Sequence, residues 1–98
     1  MTNPPNTMIF SICSVSITSK PTLALFKAEA ETVEVAVAAL AVAKLAAEDF
    51  DALAFITSGG GVIYSETYLL STKEWALTDS SHGLKYDSRV LALLGQPA

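Results

Sequence analysis

Residues Glu31 to Asp49 read ETVEVAVAALAVAKLAAED, and the fold turns on how that run is wound. Alanine, leucine, glutamate and lysine are strong helix formers, and Glu31 and Glu34 stand at the end where the helix dipole is positive. Winding at the α-helical period gathers Val33, Val37 and Leu40 on one sector and Val35, Val42 and Leu45 on another, with Glu34, Lys44 and Glu48 between them. Ala36, Ala39, Ala43 and Ala47 form a third, smooth side. A surface helix of a small domain normally carries one apolar stripe; this one is apolar on several sides and needs more than one cover. Val33, Val37 and Leu40 are expected to lie on a sheet, against residues such as Phe26 and Phe55. Val35, Val42 and Leu45 then require a second cover, either the C-terminal segment Val90 to Leu94 or a partner. The alanine side reads as helix propensity on a neutral face, or as a docking face for another helix.

Outward from the helix the chain reads as strands. Ile9 to Thr18 (IFSICSVSIT) alternates like a half-buried strand, but its apolar side changes: Met8, Phe10 and Ile12 share one face, Cys13, Val15 and Ile17 the other. A bulge near Ile12, or a strand covered on both faces at its start, would account for the change. Ser19, Lys20 and Pro21 form a turn into a second strand, Thr22 to Ala30, with Ala24, Phe26, Ala28 and Ala30 on one face; the two strands form an antiparallel hairpin. After the helix, Asp51 to Thr57 and Gly61 to Thr67 form a second hairpin across Ser58, Gly59 and Gly60, where glycine supplies the positive φ of a tight turn. Tyr68 to Leu70 and Glu74 to Thr78 form a third hairpin across Ser71, Thr72 and Lys73, or else SETYLLSTKEWAL coils into a helix. Asp79 to Lys85 is a polar loop, and Asp87 or Ser88 caps a short helix, Arg89 to Leu94, that Gly95 ends and Pro97 cannot continue. Residues 1–7 form a tail and residues 8–98 one α+β domain: an antiparallel sheet of two hairpins, four to six strands, packed on one long helix in the order β-β-α-β-β(-β).

Composition narrows the function classes. The 98 residues are 51% apolar and 16% charged, far from the profile of a disordered chain. A net charge of −4 and scattered Lys and Arg exclude the basic stripe of a nucleic-acid binder. The apolar run Val35 to Ala43, halted by Lys44, is too short for a membrane span, and the N-terminus lacks the basic start of a secretory signal. With Cys13 as the single cysteine there is no internal disulfide and no cysteine-based zinc site, which fits a cytoplasmic setting.

The chemical motifs are weak. Gly59, Gly60 and Gly61 lack the Lys-Ser/Thr of a phosphate loop and precede a strand rather than a helix. His82, in DSSHG, has its serines and aspartate in one loop, whereas catalytic triads converge from separated positions; a Cys13–His82 pair has no supporting context. No catalytic residue, cofactor or metal site is therefore assigned. The binding candidates are the acidic cluster Glu48, Asp49 and Asp51, the aromatics Tyr64, Tyr68 and Trp75, and Val35 and Val42 on the helix; Trp75 beside Glu74 is the preferred anchor, and Tyr86 adds a further ring. In size and hairpin–helix–hairpin outline the chain resembles small phage-encoded inhibitors, including some anti-CRISPR proteins, a resemblance of outline carried by no motif. The expected function is a non-catalytic protein–protein contact module, an inhibitor or adaptor, with another protein or a second copy as partner. The alternative is a small-molecule binder or small enzyme with a pocket between helix and sheet, using Tyr64, His82 and the acidic cluster.

Overall fold

A computed structural model describes residues 9–78 and 86–94. In chain order these form β1 (Phe10–Ser16), β2 (Leu23–Ala30), α1 (Val33–Ala46), β3 (Ala52–Ser58), β4 (Gly61–Leu69), β5 (Glu74–Leu77) and α2 (Ser88–Leu93). The strands make one antiparallel five-stranded sheet in the order β2-β1-β3-β4-β5, with β2 and β5 at its edges. This is the expected α+β order, with the long helix following the first hairpin. The segment after β4 turns back as β5 rather than coiling: the Leu69 carbonyl accepts from Thr72 and Lys73 N–H at 3.2 and 2.8 Å. The β3–β4 turn has the predicted chemistry, with φ of 62° at Gly59 and 85° at Gly60. The expected tail of residues 1–7, the loop Asp79 to Lys85 and the stop at Gly95 and Pro97 lie outside the described residues.

The sheet has one covered face. Phe10, Ile12, Ser14 and Ser16 of β1, Ala52, Ala54 and Ile56 of β3, and Tyr64, Glu66 and Tyr68 of β4 all point inward and are buried. The register of β1 against both neighbours runs unbroken through Ile12. The expected bulge there is absent: two serines simply continue the inner face of the strand. The irregularities fall opposite Ser14/Val15, where β2 carries the extra residue Leu25, and at Ile56/Thr57, where β4 carries Ile63. Leu25 also ends the predicted common face of β2, because Ala24 pairs with outward-pointing Val15. Phe55 is a second correction. It pairs with Cys13 on the outer face, so Ile56 and Ala54 meet the helix instead. Cys13, Val15, Leu53 and Phe55 are half-buried, and no described element covers that outer side.

Helix α1 lies across β1 and β2 and reaches β3. Thr32 caps it, its hydroxyl accepting from Val35 N–H at 3.2 Å. Val33, Ala36, Leu40, Ala43 and Ala47 are buried, while Val37 and Ala39 are half-buried. The alanine side is thus the sheet contact, where the absence of longer side chains lets helix and sheet approach closely, rather than a neutral face. Helix α2 closes the inner face beside α1. Asp87 caps it, accepting from Arg89 N–H at 2.8 Å, and the Asp87 N–H donates to the Ile63 carbonyl at 2.9 Å. Val90 is fully buried in the same core as Leu40, Ile56 and Tyr64.

Candidate functional site

Two regions gather the residues singled out in the sequence. The first is a polar and aromatic corner between the C-terminal half of α1 and β4–β5. Tyr64, Glu66 and Tyr68 alternate along β4 and so share its inner face. Glu66 accepts from Tyr64 Oη at 2.8 Å, and its carboxylate meets Lys44 Nζ at 3.0 Å. The Lys44 and Glu66 side chains are only 25% and 9% exposed, so the ion pair is shielded from solvent. Lys44 Nζ also lies 5.5 Å from the Trp75 ring centre, and the Trp75 ring packs on Tyr68 at 5.0 Å between centroids. Trp75 Nε1 donates to Glu48 at 3.4 Å. Tyr64 is fully buried and tilts against Tyr86 at 5.3 Å, whose hydroxyl donates to the Thr78 carbonyl at 2.7 Å. Burial first, then the Glu66 carboxylate beside it, raises the Tyr64 hydroxyl far above the ordinary phenol value.

Chemically this corner is closed. The Glu66 carboxylate is held by a phenol and an ammonium that satisfy it, which makes a structural clasp joining β4 to α1. Tyr64 and Tyr68 are buried in the chain itself, so their rings fill the core; Trp75 is half-exposed. The acidic cluster is dispersed among separate tasks. Asp51 Oδ1 accepts from Leu70 N–H at 2.7 Å, which ties the start of β3 to the end of β4. Glu48 serves Trp75, and Asp49 is exposed. Among the described residues no three His, Cys, Asp or Glu side chains come together as a metal site. His82 lies outside the described residues, so the Cys13–His82 pair does too; Cys13 is a free, half-buried thiol on the outer sheet face.

The second region is the outer half of α1. Val35, Val42 and Leu45 are 53%, 52% and 71% exposed. Ala38, Ala41 and Ala46 are exposed around them, and Glu34 is the one charge on that half. Val35, Ala38, Val42 and Leu45 follow the i, i+3, i+7, i+10 spacing of a helix-packing seam. Helix α2 leaves this ridge uncovered: it packs beside α1 with Val90 in the core and Leu91 and Leu94 partly buried against it, and the Asp87 N–H at its start is tied to the Ile63 carbonyl of β4. At the N-terminal end of the ridge an open groove of about 530 Å³ runs between Ile9, Glu29, Ala30, Glu31, Thr32 and Val35. The exposure of Val35 and Val42 was legible from the helical period; that of Ile9 and Leu23, at 53% and 46%, was not.

Comparison with protein-family models, curated proteins and solved structures finds no match for the chain. Among the described residues no helix is long and apolar enough to cross a membrane.

Proposed function

We infer that this chain is a non-catalytic protein-contact module, of the inhibitor or adaptor kind, that presents the outer face of α1. The observation that carries the reading is the ridge Val35–Ala38–Val42–Leu45, with its three large side chains half or more exposed on a helix that has one charge on that side. Covering a Val or Leu side chain completely is worth about 1.5–3 kcal/mol, so removing the remaining exposure of these three offers on the order of 3 kcal/mol to whatever docks there. Among the described polar groups expected to line such a pocket, Tyr64 is held in the Lys44–Glu66–Tyr64 clasp, Glu48 bonds Trp75 and Asp51 bonds the Leu70 N–H. The small-molecule alternative draws its support from the rim groove at Ile9 and Val35, which is open to solvent rather than enclosed between helix and sheet.

The test is affinity capture from the source cells with wild type and Val42→Glu side by side, after circular dichroism and thermal melting have shown both folded. Retention of one protein by wild type and its release by Val42→Glu supports the reading. Equal retention by both, or none by wild type, removes it.

A further inference from the structure

We propose that the first partner of this surface is a second copy of the chain, joined through the free edge of β2 so that two sheets become one and the α1 flanks meet above the seam. The inference rests on the reading of α1 as a contact surface and names its occupant.

The backbone of β2 sets the register. Ile17 N–H donates to the Asp51 carbonyl at 2.9 Å, and Ile17 and Asp51 extend the β1–β3 pairing. In an antiparallel ladder such bonded pairs recur every second residue, so Val15, Cys13 and Ser11 turn their backbone groups toward β3. Ser14, Ile12 and Phe10 then turn theirs toward β2, where they face Phe26, Ala28 and Ala30. By the same alternation, Lys27 and Glu29 direct their N–H and C=O groups to the open edge. Both side chains are exposed on the outer sheet face, and neither makes an ion pair among the described residues.

This edge is complementary to itself. A two-fold axis through Ala28 places Lys27 of one copy opposite Glu29 of the other, twice, in the positions where the outward backbone groups can exchange hydrogen bonds. Cross-strand pairs of opposite charge stabilise a ladder, and like charges directly opposite destabilise it. Lysine and a bulge on an edge strand can also serve to repel pairing. Here the lysine is followed two residues later by a carboxylate, so that the same feature that would repel a random strand accepts its own copy.

The helix points the same way. Lys44 reaches from α1 toward β4, and at about 100° per residue Val35 and Ala46 stand on the opposite flank, above β2, with Ala39 and Val42 beside them. The groove that Val35 shares with Glu29 and Ala30 places this flank at the β2 edge independently. Because α1 overlies β1 and β2, its axis stands roughly half to one strand spacing inside the edge. Doubling that offset and adding one spacing of ~4.8 Å sets the two helices roughly 10–14 Å apart, the near end being helix-contact distance. Val35 and Val42 of the ridge, with Ala39 and Ala46, thus meet their own counterparts, while Ala38 and Leu45 stay on the outer side of the seam.

The test is light scattering on the full chain at about 100 μM, with Lys27→Glu and Glu29→Lys made separately and also mixed in equal amounts. Each single substitution turns both cross-strand pairs into like-charge pairs and is expected to raise the dimer dissociation constant on the order of tenfold or more. The mixture restores opposite charges at both places, so a dimer of twice the 10.3 kDa chain mass returns. A monomeric wild type overturns the proposal, as does a dimer indifferent to both substitutions or a mixture that fails to recover. The substitution and mixing results read β2 directly, and a monomeric wild type leaves a different protein partner for α1 to the capture experiment, so failure of this dimer is distinguishable from failure of the α1 contact reading, which Val42→Glu reports there.

Discussion

Ala43→Leu tests whether the small-residue side of α1 is the surface that lets the helix seat on the sheet. Ala36, Ala43 and Ala47 have no exposed surface, and Leu40 beside them is equally buried. A leucine at position 43 adds three carbons to a site without room for them, so the helix must lift or its neighbours must leave their rotamers. Overpacking of this kind costs about 1–3 kcal/mol, while the loss of helix propensity from alanine to leucine is only a few tenths. A net destabilisation of about 2 kcal/mol follows. For a domain of this size that lowers the melting temperature by roughly 8–16 °C. Ala38→Leu is the matched control: the same substitution on the same helix at an exposed position, expected within about 0.5 kcal/mol of wild type. The assay is urea unfolding followed by circular dichroism at low protein concentration, with thermal melts alongside. Equal effects of the two substitutions, or an Ala43→Leu midpoint indistinguishable from wild type, would refute the seating argument.

Three further outcomes follow from the inner face. Lys44→Ala leaves the Glu66 carboxylate with Tyr64 as its remaining partner in a shielded site; the fully buried value of 3–5 kcal/mol, discounted for the solvent access of Lys44, predicts a loss of about 2 kcal/mol, and Glu66→Gln in the same background should recover part of it in denaturant unfolding. Tyr64 has its folded-state proton affinity raised above the ordinary phenol value of 10.0, so its contribution to stability is complete below that pH and is lost as pH rises above it. Alkaline titration followed by ultraviolet absorbance should show one tyrosine ionising only as the fold is lost, and reversible ionisation of that group in the intact fold would contradict the burial argument. Ser14 Oγ is buried without a partner among the described residues, so Ser14→Ala should stabilise the domain by about 1 kcal/mol in the same unfolding assay; destabilisation would point to a bond made by that hydroxyl.

The order of elements was legible as far as β4 because its signals are local, whereas SETYLLSTKEWAL suited a strand pair and a helix alike and left β5 open. Gly59 and Gly60 mark a turn by backbone chemistry, and the Ala-rich run marks a helix by propensity. Which way the elements face was less so, for a physical reason. β3 is apolar on both faces, with Ala52, Ala54 and Ile56 inward and Leu53 and Phe55 outward, so bulk favours the outer face and misplaces Phe55. The inner face of β1 ends in Ser14 and Ser16, which makes a regular strand resemble a shifted one. The extra residues Leu25 and Ile63 leave no mark on the apolar pattern. On α1 alanine and valine surround the axis, and only packing distinguishes the buried Ala43 from the exposed Ala41. The Lys44–Glu66 clasp joins residues from different elements, so spacing along the chain could not announce it.

Ala28 is the β2 residue that lies on the proposed two-fold axis, and it therefore faces its own copy. Its backbone groups turn toward β1, which makes Ala28 and its counterpart a non-hydrogen-bonded pair with Cα atoms about 4.5 Å apart, within disulfide range. The most direct measurement is oxidation of the Cys13→Ser/Ala28→Cys chain, read on a non-reducing gel against Cys13→Ser/Val62→Cys. Rapid conversion of the position-28 chain to a covalent dimer, with the position-62 control remaining monomeric, is the predicted result. Equal, slow cross-linking of both chains would contradict the shared-sheet dimer.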